Sequence, residues 1–265
     1  MNIKLEIIDI NLLQIFKNSV SNDIDKILNN IKKEKVPADY FKFYNSISSV
    51  YSSKIEGEDI DFDSFFKHKF MNVKFKPDYT KKTDDLVKAY EFAFNNELNL
   101  KNVIKSHSVL SNNLLPKSQR GVIRNNSMFV INSDDRIEYV APESSIVNQE
   151  LDILFNDIKK LKTIELNTIE ILYFASFIHL IFVKIHPFQD GNGRTARLLE
   201  KWFLIDKLGD KAVAIGLEKN YYKNLSDYYT NIKKLGLEYE ELDYSKSLDF
   251  LKMTLNGLIS QGKND

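Results

Sequence analysis

Within twelve residues, "HPFQDGNGRTAR" (186–197), the chain gathers an imidazole, a carboxylate, two glycines flanking an asparagine, and two arginines. The residue before a proline is steered away from the α region, so an upstream helix must end at His186-Pro187. The dipole at a helix C-terminus favours the protonated imidazole, which suits a base that must hold a proton it has just removed. Gly191-Asn192-Gly193 allows a sharp turn and brings backbone N–H groups close to a ligand. A helix starting straight after it is an anion site. Arg194 and Arg197 share a helix face, with Lys201 a turn further on. Guanidinium groups grip phosphate oxygens in pairs. Asp190 precedes this anion site, and a carboxylate facing phosphates is repulsive unless a cation such as Mg²⁺ bridges them. Base, metal ligand and phosphate cradle together imply transfer of part of a nucleotide to a hydroxyl. Taken singly, each feature has a structural reading: a turn, a helix-end histidine, a solvated pair of arginines.

The elements that must position these groups are mostly helices. Nine glycines and five prolines punctuate 265 residues, which favours long helices with few turns. "SNDIDKILNNIKKEK" carries apolar residues at a helical period, and Pro37 stands where a new helix would begin. From Tyr40 to Ile55 the spacing of Phe43, Tyr44, Ile47, Val50 and Tyr51 predicts an amphipathic helix stopped by Gly57. Further helices are predicted at "DDLVKAYEFAFNNEL", "LKNVIKSHSVLSNNLL", about 145–161, about 167–185, and about 193–208 with a stop at Gly209. "YYKNLSDYYTNIKKLG" and "SKSLDFLKMTLNGLI" are helical again. Only residues 121–142 change texture. Short β-favouring runs around Ser133-Asp134-Asp135 read as a β-hairpin.

Bulk properties narrow the class. Lys+Arg and Asp+Glu are both 37, which argues against nucleic acid as a partner. Without cysteine there are no disulfides, thiolate metal sites or thiol nucleophile, and a reducing cytoplasm fits. The N-terminus lacks the features of a signal peptide. The most apolar stretch, Ile171 to Val183, is too short to span a bilayer and reads as a buried helix, so no membrane partner is expected.

The central stretch resembles the signature of the Fic (filamentation induced by cAMP) family, His-Pro-Phe-x-Asp/Glu-Gly-Asn-Gly-Arg-x-x-Arg, met at every specified position from His186 to Arg197. The upstream helix with His179 and the hairpin at 121–142 sit where the family has its pre-motif helix and target-docking flap. The resemblance implies a mainly α, Fic-type helical bundle with a small β-hairpin flap. Residues 1–95 would form an N-terminal helical region, and 96–265 a catalytic core with C-terminal helices. It implies a protein adenylyltransferase using ATP and Mg²⁺, which moves AMP to a Ser, Thr or Tyr hydroxyl of a target protein. His186 resembles the base and Asp190 the Mg²⁺ ligand. Asn192 with Gly191 and Gly193 resembles the α/β-phosphate cradle, Arg194 and Arg197 the β/γ-phosphate grips, and Phe188 the loop anchor.

A second motif, "SSKIEG", places Ser52 and Glu56 four apart on the helix ending at Ile55. By itself Glu56 reads as a tolerated surface glutamate. It also resembles the family's inhibitory pattern on an N-terminal helix, which implies a Glu56–Arg197 pair in the place of the γ-phosphate and autoinhibition in cis. Tyr221 and Tyr222 are candidates for the adenine pocket, with core packing as the alternative. His179 reads as a buried structural histidine rather than a metal ligand, and His68 and His107 carry no signal. A target would dock on the 121–142 flap as an added strand. Self-modification and a homo-oligomer are compatible with the resemblance. The alternatives are removal of AMP, transfer of another phosphate-containing group, and a nucleotide-binding regulator with little catalysis.

Overall fold

The computed structural model describes residues 3–20, 23–31, 39–131 and 134–261. Pro37 and Ser133 lie outside the described residues, as do the ends of the "SNDIDKILNNIKKEK" helix. In chain order the helices are α1 (Leu13–Asn18), α2 (Ile24–Ile31), α3 (Tyr40–Ile55), α4 (Phe62–Met71), α5 (Pro77–Phe94) and α6 (Leu100–Leu110). A two-stranded antiparallel sheet follows, β1 (Phe129–Ile131) and β2 (Ile137–Val140). Then come α7 (Ser144–Thr163), α8 (Thr168–Ile185), α9 (Asn192–Leu208), α10 (Leu217–Lys223), α11 (Leu225–Lys233) and α12 (Leu248–Gln261). The chain is thus mainly α with one small hairpin.

α8 is the axis of the fold. Its N-terminus is closed by a capping box: the Asn167 side chain accepts from the Glu170 N–H, and the Glu170 carboxylate accepts from the Asn167 N–H, both at 3.0 Å. Apolar side chains surround it, so α7, α9 and α12 all pack on it and bury it on every side. Its 18 residues exceed the thirteen-residue apolar stretch and are apolar enough to cross a membrane, but 78% of that window is buried inside the protein. The helix leaves α geometry at His186, as the following proline requires. α9 then starts from Gly191, in the left-handed region at φ 79°, and packs back on α8. The signature is the tight turn between these two core helices.

α3 and α10 pack together, and α5 lies against α3 and α9. This brings the C-terminal end of α3 to the start of α9. The inner face of α3 differs from its apolar spacing, because Asn45, Ser48, Ser49 and Ser52 are buried on it. Two of them face buried charges: Ser48 Oγ donates to Glu218 at 2.9 Å, and Ser52 meets Arg197. The hairpin's strands are shorter than 121–142: residues 121–128 are not strand, and the Arg124 N–H donates to Pro187 O, just past α8, at 2.9 Å. α1 and α4 carry no strong periodicity and were not legible beforehand.

Asn167→Ala removes the α8 N-cap and should lower stability by about 1 kcal/mol, read as a fall in the urea midpoint at unchanged slope.

Candidate active site

The loop between α8 and α9 is rigid because its polar groups are satisfied internally. Asn192 Oδ1 accepts from Phe188 N–H and its Nδ2 donates to Phe188 O, both at 2.8 Å. The Asn192 side chain closes the loop, and the N–H groups of α9's first turn have no intrahelical acceptor. Phe188 is buried and stacks on His107 at 3.6 Å with the rings nearly parallel, fitting its role as anchor. His107 Nδ1 accepts from Gly121 N–H at 2.9 Å, so Nε2 carries the proton and donates to Asp190 O at 2.9 Å. Nothing in the sequence marked His107. Its partners lie 14 and 83 residues away.

His186 sits at φ 51°, ψ 58°, unusual for a residue with a Cβ. Its Nδ1 lies 3.1 Å from Val183 O, a carbonyl that can only accept. The neutral ring therefore carries its proton on Nδ1, leaving the Nε2 lone pair free as a base. Burial lowers its pKa to about 4. This reverses the expected preference for the protonated form: desolvation outweighs the helix dipole, so the ring is a free base at neutral pH.

Arg197 is almost fully buried, and each of its three guanidinium nitrogens donates. Nε donates to Ser52 Oγ at 2.8 Å, one terminal nitrogen to Tyr228 Oη at 3.2 Å, and the other to Ser52 O at 3.2 Å and Glu56 Oε1 at 2.5 Å. Burial alone raises the Glu56 pKa, but the charges of Arg197 and Arg194 prevail and hold the carboxyl below the usual range. Glu56 Oε1 lies 2.8 Å from where a Cβ on Gly193 would stand, so only glycine lets the carboxylate settle over the first turn of α9. A second acid was missed: Glu58 Oε1 accepts from Arg194 at 3.2 Å and from Lys82 at 2.7 Å. Arg194 Nε, also buried, has no hydrogen-bond partner among the described residues.

A cleft of about 410 Å³ opens onto His186, Gly193, Arg197 and Glu56. Tyr139 and Lys184 line its flap side, and Tyr228 and Tyr229 the opposite wall. Tyr229 Oη donates to Ile55 O at 3.1 Å, steadying the turn that carries Glu56. Tyr221 and Tyr222 do not line this cleft. Tyr221 is fully buried and donates to Glu200, and Tyr222 packs on Tyr51 under Lys54. Lys201 shares the helix face by count but enters the core, where it donates to Val213 O and Ile215 O and pairs with Glu218. His179 is buried and bonded on both ring nitrogens, to Glu200 and Tyr228, as a structural histidine should be. Asp190 is exposed beside the loop, with Oδ1 accepting from Gly191 N–H at 2.6 Å. Among the described residues no group of three or more His, Cys, Asp or Glu forms a metal cluster. A lone carboxylate suits a cation that keeps its waters and takes its other ligands from substrate phosphates.

Residues 97–204 match the model of the Fic/DOC family. The fold resembles a Fic family protein from Desulfovibrio desulfuricans G20, with TM-score 0.75 and 17% identity over 98% of this chain and 76% of that one. It also resembles a Fic domain containing signaling protein from Bacteroides thetaiotaomicron VPI-5482, with TM-score 0.64 and 16% identity over 91% and 96%. Fic-1 (residues 134–508) from C. elegans gives TM-score 0.65 and 16% identity over 94% and 71%. No curated protein matches the sequence.

His107 and His186 both have folded pKa values lowered to about 4 by burial. Unfolded, each gains its proton below about pH 6.5. The unfolded chain therefore binds protons first, and stability holds above pH 6.5 and falls as pH drops from there toward 4. Each histidine should contribute up to ~1.4 kcal/mol per pH unit to the loss, measured by urea unfolding at pH 7, 6 and 5. His107→Gln should flatten the slope by one histidine's share.

Proposed function

From the match of residues 97–204 to the Fic/DOC family model, we propose that the chain is a protein adenylyltransferase held inactive by Glu56. One observation carries the reading: a neutral imidazole with Nε2 free shares one cleft with a helix N-terminus and a buried arginine, and a carboxylate of the same chain sits on that anion site. His186 Nε2 would take the proton of a target Ser, Thr or Tyr hydroxyl. The hydroxyl oxygen bonds to the α-phosphorus of ATP as the bond from that phosphorus to the bridging oxygen breaks. AMP stays on the target and pyrophosphate leaves. The backbone at Gly191–Gly193 would receive the phosphates nearest the reaction, with Arg194 and Arg197 on those beyond. Asp190 would hold the Mg²⁺ that accompanies ATP, and the ion would offset phosphate charge. Positioning and charge neutralisation supply most of such a rate.

Glu56 meets the same needs as a phosphate. It brings negative charge to the α9 N-terminus and an oxygen to Arg197, so ATP and Glu56 compete for one place. Glu58 does the same, more weakly, for Arg194, because its contact is longer, 3.2 Å against 2.5 Å, and it is shared with Lys82. Glu56→Gly should raise AMP incorporation from α-labelled ATP, including self-modification, by about tenfold or more, the effect of removing ~1.4 kcal/mol of competing interaction. No increase over wild type would refute autoinhibition by Glu56. In that background His186→Ala should abolish transfer and keep ATP binding by calorimetry. Unchanged output in every transfer assay would favour a nucleotide-binding regulator.

A further inference from the structure

The end of α8 poses a problem of unpaired carbonyls. The last turn of a helix has no internal donors for its C=O groups, and here that turn runs directly into the catalytic imidazole. Four consecutive carbonyls are taken by the segment bearing the flap. Tyr139 Oη donates to Lys184 O at 2.6 Å, and Arg124 terminal nitrogen to Ile185 O at 3.4 Å. Arg124 Nε donates to His186 O at 2.8 Å, and the Arg124 backbone N–H to Pro187 O at 2.9 Å. The same guanidinium reaches both roots of the flap, Asn126 O at 2.8 Å and Pro142 O at 2.6 Å. Arg124 is 5% exposed. One planar fork thus joins the two ends of the hairpin segment to the residue that carries the base. A left-handed conformation at a non-glycine persists only where its surroundings enforce it, and Arg124 supplies that enforcement at His186.

We infer that Arg124 is a positioning residue for His186, locking the imidazole to the roots of the flap so that a segment seated on the flap bears on the base. The inference rests on the adenylyltransferase reading for its consequence, but its geometry stands apart from it. Lysine keeps the charge yet cannot reproduce a rigid fork with several donors. The lock should therefore be lost in Arg124→Lys as well as Arg124→Gln.

The chain has four histidines, so ¹³C/¹⁵N-histidine labelling of the full protein gives a resolvable set of ring signals, with His186 assigned through His186→Ala. Arg124→Lys should shift or broaden the His186 ring signals and leave those of His179 and His68 in place. Tyr139→Phe, which removes the flap's bond to Lys184 O and spares Arg124, should leave His186 unmoved. In the Glu56→Gly background, Arg124→Lys should cut the single-turnover rate of self-modification about tenfold or more, with ATP affinity within about twofold. The inference is overturned if His186 signals match wild type in Arg124→Lys, if His179 and His68 move equally, if Tyr139→Phe moves His186 as far, or if the ring moves and the rate does not. Should Arg124→Gln fail to fold, Arg124→Lys decides. Should Glu56→Gly transfer no AMP at all, the adenylyltransferase reading fails and the ring signals alone decide the positioning.

Discussion

A guanidinium buried to 1% exposure organises the site. A charge taken out of water must be met by hydrogen bonds and opposite charge or it destabilises the fold. Arg197 draws that compensation from two places far apart in sequence: Ser52 and Glu56 at the end of α3, and Tyr228 on α11. The arginine therefore does more than wait for a ligand. It holds the N-terminal helix against the core, and that makes the position of α3 sensitive to whatever else Arg197 binds. Burial pulls against its charge, but Tyr228 and Glu56 outweigh burial and keep it protonated.

Behind Arg197 the polar chain continues. Tyr228 Oη lies 3.0 Å from His179 Nε2, His179 Nδ1 lies 2.6 Å from Glu200, and Glu200 accepts from Tyr221 and Thr254. These groups are buried and mutually satisfied, which lets a charged network sit among apolar helices and orient one guanidinium. On the other side of the cleft the loop from His186 to Asn192 has separate supports: the Asn192 clasp, the His107 stack and the Arg124 fork. His186 and Arg197 are thus held by separate contacts, and the Glu56 carboxylate shares their cleft.

Much of this was legible in the sequence. The helices around α8 and α9 follow from apolar spacing, glycine stops and the proline after His186, and the motif's order of chemical groups is the order in which the loop presents them. The hairpin was legible as texture but overlong, because Gly121 and Arg124 find their partners on His107 and at the end of α8 rather than across a strand. The serines of α3 hid its inner face, since spacing of apolar residues says nothing about a face built to meet buried charge. His107, Arg124 and Glu58 were invisible for one reason: each acts through a partner distant in sequence, and none has a local pattern.

The sequence by itself determined which groups are available and how they follow one another, because steric rules at proline and glycine and the geometry of a helix terminus act over a few residues. Tertiary structure alone decided the protonation of His186, where desolvation overcame the helix dipole. It alone set the Asn192 side chain to closing the loop, sent Tyr221 into the core, and placed Glu56 against Arg197 beside Gly193 at the start of α9. Desolvation and Coulomb attraction depend on what surrounds a group in three dimensions, and those surroundings include residues as far as 141 apart along the chain.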